Sequence, residues 1–368
     1  MNKIIKSTKS MGQSLWLDSI SREMINSGEI ENLINAGITG ITSNPTIFDK
    51  AIGESNVYDS ALIEYSKTSK TTEEIFEKLA TDDIKKAANL LRKTYQSSNF
   101  NDGYVSIEVS PQHADNSEAT IVQAERLWNK INEPNVMIKV PGTDEGFVAV
   151  KTLISKGINV NITLLFSVEQ YEKTAYAYLD GLTEFAKSGL GATNSVCSVA
   201  SFFISRIDTA VDNLLEKNSQ LKGKIGISNA KIAYDKYKKI FDKNLYGQGS
   251  FFPLYSTGAK VQKPLWASTS VKNPDYDKNL YLNNLIGAET INTIPLETFN
   301  NFSHTGTPNN SLIENIDEAE ENIKFLAKQG INFNDITNQL LQDGIKAFSD
   351  SYDSLLNKIN DKLSKLKS

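Results

Sequence analysis

Asn135-Val136-Met137-Ile138-Lys139-Val140-Pro141-Gly142-Thr143-Asp144-Glu145-Gly146 opens as an apolar run and turns at Pro141-Gly142. It then enters a segment that Thr143 or Asp144 can cap. Val136, Met137, Ile138 and Val140 have the unbroken apolar character of a parallel strand buried on both faces. A single lysine, Lys139, interrupts it near its C-terminal end. Burial disfavours a charged ammonium, and a neutral amine is a nucleophile that adds to a carbonyl to give a Schiff base. A lysine at a strand end can equally snorkel outward and stay solvated. This stretch alone leaves both readings open.

Working outward, strand-like segments recur on both sides. Before it lie 14–18, ending on a carboxylate, 37–45, β-branched and stopped by Asn44-Pro45, and 103–111, with Glu108 near its end. After it lie 157–166, 196–203, 264–270 and the weaker 288–294. Helical patterns alternate with them. They cover 21–36, broken at Gly28; 71–95, opened by the capping box of Thr71 and Glu74; 116–131; 145–156; 167–187, capped by Ser167; 204–217, carrying Arg206; and 229–241. Residues 245–257, rich in glycine and aromatics, read as an exposed excursion, and 311–368 as a helical tail. Strands alternating with helices in this number predict a (β/α)8 barrel, a TIM barrel, with extra helices at the C-terminus. The alternative, a doubly wound sheet, lacks its glycine fingerprint. No linker separates two cores, so residues 1–368 are expected to form one domain.

Composition narrows the function. The 368 residues suit one barrel with extensions. The 39 basic and 44 acidic residues give a net charge of −5, which argues against a nucleic-acid footprint. One cysteine, Cys197, excludes an internal disulfide. His113 and His304 are far apart and, with one cysteine, offer no metal-site spacing. The N-terminal lysines are not followed by the apolar core of a signal peptide, and no apolar run approaches a membrane span. A cytoplasmic protein without membrane association is expected.

The polar residues fall in a pattern. Asp18, Asn44, Glu108, Lys139, Asn161, Thr163 and Ser201 all sit at or near the C-terminal ends of successive strands. In a barrel these ends converge on the catalytic face. Packing does not account for so many polar residues around one lysine.

Together the stretches Leu-Trp-Leu-Asp18, Thr-Ser-Asn44-Pro-Thr-Ile-Phe, Ser-Ile-Glu108-Val, Val-Met-Ile-Lys139-Val-Pro, Asn161-Ile-Thr163-Leu-Leu-Phe-Ser and Ser201-Phe-Phe-Ile-Ser-Arg206 resemble transaldolase. The chain length and Trp-Ala-Ser-Thr-Ser270-Val-Lys272-Asn-Pro are similar to a longer bacterial subfamily. The resemblance implies a class I aldolase-type barrel with no metal or organic cofactor. It implies transfer of a dihydroxyacetone unit from sedoheptulose 7-phosphate to glyceraldehyde 3-phosphate, giving erythrose 4-phosphate and fructose 6-phosphate. By position, Lys139 is the Schiff-base lysine. Glu108 is the acid/base, acting through a water shared with Thr163. Asp18 handles the hydroxyl proton at the breaking bond. Asn44 and Asn161 bind the dihydroxyacetone hydroxyls, and Ser201 and Phe203, in the strand-six motif, are also substrate-binding. Arg206, Ser270 and Lys272 bind phosphate. Lys272 stands where the family commonly has arginine, which keeps the charge but loses the bidentate fork. Read alone, Asp18 would be a helix cap, Asn44 a turn residue and Arg206 an exposed helix residue.

The neighbouring fructose 6-phosphate aldolases share the barrel and lysine, but carry glutamine in place of Glu108 and tyrosine in place of Phe203. Both positions favour transfer over simple cleavage, and aldolase activity is the alternative. A catalytically dead sugar-phosphate-binding barrel would have lost Lys139 or Glu108. Sugar phosphates are thus the expected partners, with monomer and homodimer both open.

Overall fold

The computed structural model describes residues 1–245 and 251–367. Eight strands close into a parallel barrel in sequence order: β1 Gln13–Leu17, β2 Ile38–Ile41, β3 Val105–Glu108, β4 Val136–Pro141, β5 Val160–Leu165, β6 Ser198–Phe203, β7 Lys263–Ala267 and β8 Thr290–Ile294. β8 pairs back onto β1, which completes the closure.

The side-chain period of two sorts each strand between two cores. Leu15 and Leu17, Val105 and Ile107, Ile138 and Val140, Val160 and Ile162, and Ala200 and Phe202 pack into the layer between barrel and helices. Trp16, Met137, Val199, Leu265 and Ile291 alternate with them and form a separate cluster within the barrel. Gly40 is required there, because a Cβ on it would stand 2.4 Å from the Trp16 ring. In phase with this inner set, and one step or more further along the strands, come Asp18, Thr42, Glu108, Lys139, Asn161, Thr163, Ser201 and Thr293. The alternation that fills the lower barrel with apolar side chains therefore turns polar ones into its upper mouth.

Several local expectations are refined. Gly28 (φ 79°) separates two short helices, Arg22–Asn26 and Glu29–Ala36. Asn44-Pro45 does more than end a strand. Asn44 caps, and Pro45 opens, a helix Pro45–Glu54 that the turn reading misses. The helix carrying Arg206 is shorter than expected, Ser205–Asp212. Of the 245–257 excursion, 246–250 lie outside the described residues. The rest is not all exposed, because Phe251 is fully buried and Phe252–Tyr255 is a short helix. Among the described residues, no helix is long and apolar enough to cross a membrane.

The tail is helical, as its pattern predicts, but it is not peripheral. Its last helix, Phe333–Lys367, buries Phe348, Tyr352, Leu355, Ile359 and Leu363. It is tied to helix Pro45–Glu54 by Thr46–Ser351 (2.8 Å), Ser354–Asp49 (3.0 Å) and Lys358–Asp49 (2.7 Å). Lys362 adds an ion pair to Asp59 at 3.0 Å. The helix thus lies against the first residues after β2, beside the barrel mouth.

Candidate active site

A cavity of about 150 Å³ opens among the C-terminal strand ends. Lys139 is inside it, with only 4% of its surface exposed. Its Nζ donates to the Ser43 carbonyl at 3.2 Å and stands 3.3 Å from Glu108 Oε2. The pairing follows from register, since Glu108 and Lys139 are direct partners across β3 and β4. The solvated reading of the lysine is therefore excluded.

Glu108 lies behind the cavity lining, between Ile107 and Val109, in a smaller void that Tyr352 also borders. Burial pushes its carboxyl above the usual carboxylate range. The Lys139 charge opposes that shift, and Asp18 adds to it. Among the described residues neither oxygen has a hydrogen bond of good geometry, and the buried Thr163 Oγ1 on β5 also lacks a partner. Buried polar atoms without partners are uncommon in folded proteins and mark places where a water or ligand is held. The backbone at this point is unusual too. Leu164 has φ 60°, within a register shift between Ile162 and Leu165, and Ser268, which follows β7 and lines the cavity, has φ 55°. Left-handed non-glycine residues cost about 1–3 kcal/mol each and concentrate at functional sites.

Asp18 does not cap a helix; Ser21 does that. Instead Asp18 lines the cavity and accepts from Thr42 at 2.7 Å, and Thr42 shares a 2.6 Å contact with Thr293. Asn44 is both cap and liner. Its Oδ1 accepts from Ile47 N–H, while its Nδ2 has no partner among the described residues. Asn161 is fully buried and does not line the cavity. It bridges Ser106 (3.0 Å) and Ser201 (2.6 Å), and reaches the cavity only through Ser201.

Phe203 packs against Phe166 and carries the Arg206 guanidinium over its ring at 5.2 Å. Arg206 is half-buried and makes no hydrogen bond or ion pair among the described residues, so the exposed-helix reading fails. Burial lowers its pKa, and Asp18 opposes that. Ser270 and the exposed Lys272 line the same side of the cavity, with Ser270 Oγ 3.1 Å from Thr298 Oγ1.

Some liners escape a reading of the sequence. Thr42, Thr269 and Thr293 sit beside recognised residues, and their inward phase was available from the strand period. Phe348 carries no local signal, because only the course of the last helix brings it to the mouth. Among the described residues, no group of three or more His, Cys, Asp or Glu is arranged to hold a metal.

The cavity joins a buried amine, backed by a raised carboxyl, to the Asp18 carboxylate and to two cations, Arg206 and Lys272, that have no ion pair among the described residues. That set can form an iminium, move protons at adjacent carbons and hold an anionic substituent. Comparison with known proteins agrees. The family described as transaldolase/fructose-6-phosphate aldolase matches residues 15–359. The transaldolase of Trichodesmium erythraeum is 42% identical, over 97% of each chain. Transaldolase 2 of a Nostoc species is 42% identical over 96% of each, and the transaldolase of Thiobacillus denitrificans is 40% identical over 97% of this chain and 99% of its own. With the barrel, the buried lysine and likeness along almost its whole length, the chain belongs to the transaldolase/fructose-6-phosphate aldolase family.

Proposed function

We propose that this chain is a transaldolase that carries dihydroxyacetone on Lys139 between sedoheptulose 7-phosphate and glyceraldehyde 3-phosphate. The observation that carries the assignment is the Lys139–Glu108 pair, buried at the strand ends and opening onto the cavity. The Lys139 amine adds to the ketose carbonyl, and water leaves to give an iminium. The Glu108 carboxyl, whose pKa burial raises, delivers and recovers the protons of that exchange through a water shared with Thr163 Oγ1. Asp18, fixed by Thr42, takes the proton from the hydroxyl next to the breaking carbon–carbon bond. The electron pair of that bond moves into the iminium and leaves an enamine, while the aldose departs. The enamine carbon then attacks the acceptor aldehyde, and hydrolysis of the new iminium returns Lys139. The iminium itself is the electron sink, so this route calls for no metal or organic cofactor.

Asn44 Nδ2 and Ser201, set by Asn161, serve the dihydroxyacetone hydroxyls. Arg206, Ser270 and Lys272 serve the phosphate. Residues 1–368 act as one catalytic domain in this reading, since the last helix returns to the mouth, and a cytoplasmic location fits phosphorylated sugars as substrates. Incubation with fructose 6-phosphate and borohydride tests the assignment. It should leave a three-carbon adduct on the peptide containing Lys139; an adduct elsewhere, or none, refutes it.

A further inference from the structure

Every residue lining the cavity lies on a barrel strand or within a few residues of a strand's C-terminal end, except Phe348. That ring comes from the last helix. Its centroid stands 5.7 Å from Lys139 Nζ, and it packs in one apolar cluster with Leu164, Phe166 and Phe203. Beside the Ser43 carbonyl and Glu108, the phenyl ring is the one aromatic face near Nζ among the described residues. Its position is held closely. Gly344, one turn earlier, passes so near β5 that a Cβ there would stand 2.9 Å from Leu164, and Ser351, Ser354 and Lys358 fasten the following turns to helix Pro45–Glu54.

We propose that Phe348 is a positioning residue for transfer: its ring faces the cationic iminium formed on Lys139 and keeps bulk water from that side of the carbon bonded to that nitrogen, leaving the closing hydrolysis to the water held by Glu108 and Thr163. This rests on the Schiff-base reading of Lys139 and deepens it. Two chemical consequences follow. An aromatic face attracts a nearby cation, and the iminium is a cation whether substrate or product is attached. Premature release also requires water. Once the enamine carbon is protonated, water adds to the iminium carbon, the carbon–nitrogen bond breaks, and dihydroxyacetone and the lysine ammonium are set free. Transfer needs the enamine to persist until an aldehyde arrives, so a wall that excludes water favours transfer over release.

Two variants separate the effects. Phe348→Leu keeps apolar bulk and loses the aromatic face. Phe348→Ala loses both. Free dihydroxyacetone from fructose 6-phosphate alone is measured against transfer to erythrose 4-phosphate, with borohydride trapping and thermal unfolding of each protein alongside. Phe348→Leu should lower kcat for transfer by about two- to thirtyfold with KM little changed and the release ratio near wild type. Phe348→Ala should in addition raise the ratio of release to transfer, on the order of tenfold, while Lys139 is still trapped. An unchanged kcat in Phe348→Leu overturns the role of the aromatic face. An unchanged ratio in Phe348→Ala overturns the role in excluding water. If Phe348→Ala does not fold, the kcat of Phe348→Leu decides. Either of those results leaves the Lys139 reading standing, whereas wild-type protein that is not trapped at Lys139 overturns both.

Discussion

Arg206→Ala offers a clean measurement of substrate recognition, because the side chain has so few other duties. Among the described residues its guanidinium makes no hydrogen bond and no ion pair; it rests on the Phe203 ring at 5.2 Å and feels Asp18. Removing it therefore orphans no internal donor or acceptor, which is the usual source of large collateral losses. In the proposed role, what disappears is a charged contact to the substrate phosphate. One such hydrogen bond contributes about 1.5–3 kcal/mol, or roughly ten- to a hundredfold in kcat/KM. Lys272 lies on the same side of the cavity but is exposed, so water and salt screen it. Lys272→Ala should cost less than about fivefold, and the cost should shrink as ionic strength rises. Arg206→Lys should fall between the two, keeping charge without the planar fork. The assay compares transfer to erythrose 4-phosphate from fructose 6-phosphate and from unphosphorylated fructose. Loss should be confined to the phosphorylated donor and appear mainly in KM. Equal losses on both donors, or a fall in the unfolding midpoint that matches the activity loss, would refute phosphate binding and make Arg206 a structural residue.

Phe203→Tyr places a hydroxyl beside the enamine and should increase dihydroxyacetone release from fructose 6-phosphate without acceptor, with Lys139 still required; unchanged release would contradict the role given to the phenyl ring. Asp83 is fully buried, takes a 2.8 Å ion pair from Arg22 and a 2.9 Å hydrogen bond from Tyr58, and none of the three lines the cavity. Asp83→Ala leaves the buried Arg22 with only the distant Asp82 carboxylate (4.0 Å) and the Leu79 carbonyl (3.4 Å), so it should cost about 3–5 kcal/mol in denaturant unfolding while kcat of the folded protein is retained. Asp208 accepts from Gly226 N–H at 2.7 Å, and burial pushes its carboxyl up to about 7. Between the ordinary carboxylate range and that value, the unfolded chain is ionised and the native one is protonated. Stability therefore falls as pH rises, by up to about 1.4 kcal/mol per unit, and levels off above. Asp208→Asn removes the titration, so its melting advantage over wild type should grow from about pH 4 to 7 and then stop growing; parallel melting curves across that range would refute it.

The barrel was legible because two signals reinforce each other. Apolar runs such as 136–141 and 160–165 announce buried parallel strands, and the polar residues at their ends announce a common face. Glu108 and Lys139 could be paired from sequence once both were placed near strand ends. Helix Pro45–Glu54 was missed because Asn-Pro is a turn signal and a helix-opening signal at once, and only the residues beyond it decide. Resemblance gives Asn161 a role toward the dihydroxyacetone hydroxyls, and the structure adds that its side chain meets Ser106 and Ser201, with Ser201 on the cavity wall. Inward phase identifies the lumen but not the depth. Phe348 was illegible for a different reason. A helix period shows that a phenylalanine faces a core, but not which core when the helix lies far from its partners in sequence.

Helix Pro45–Glu54 shows why structural and functional readings of one residue need not compete. Asn44 spends its Oδ1 on Ile47 N–H, which fixes the amide plane and leaves Nδ2 without a protein partner at the cavity wall. Capping here is the means by which a flexible side chain is held ready for substrate. The same helix then offers Thr46 and Asp49 to the last helix, whose Phe348 ring lies 5.7 Å from Lys139 Nζ. Ser43 itself precedes the cap and receives the lysine's hydrogen bond. In the proposed mechanism this turn and helix start, 43–49, therefore set the lysine, the amide offered to substrate and the aromatic wall together. A displacement of that turn should be felt in binding, chemistry and water exclusion at once, whereas changes at Arg206 should be felt in phosphate binding alone.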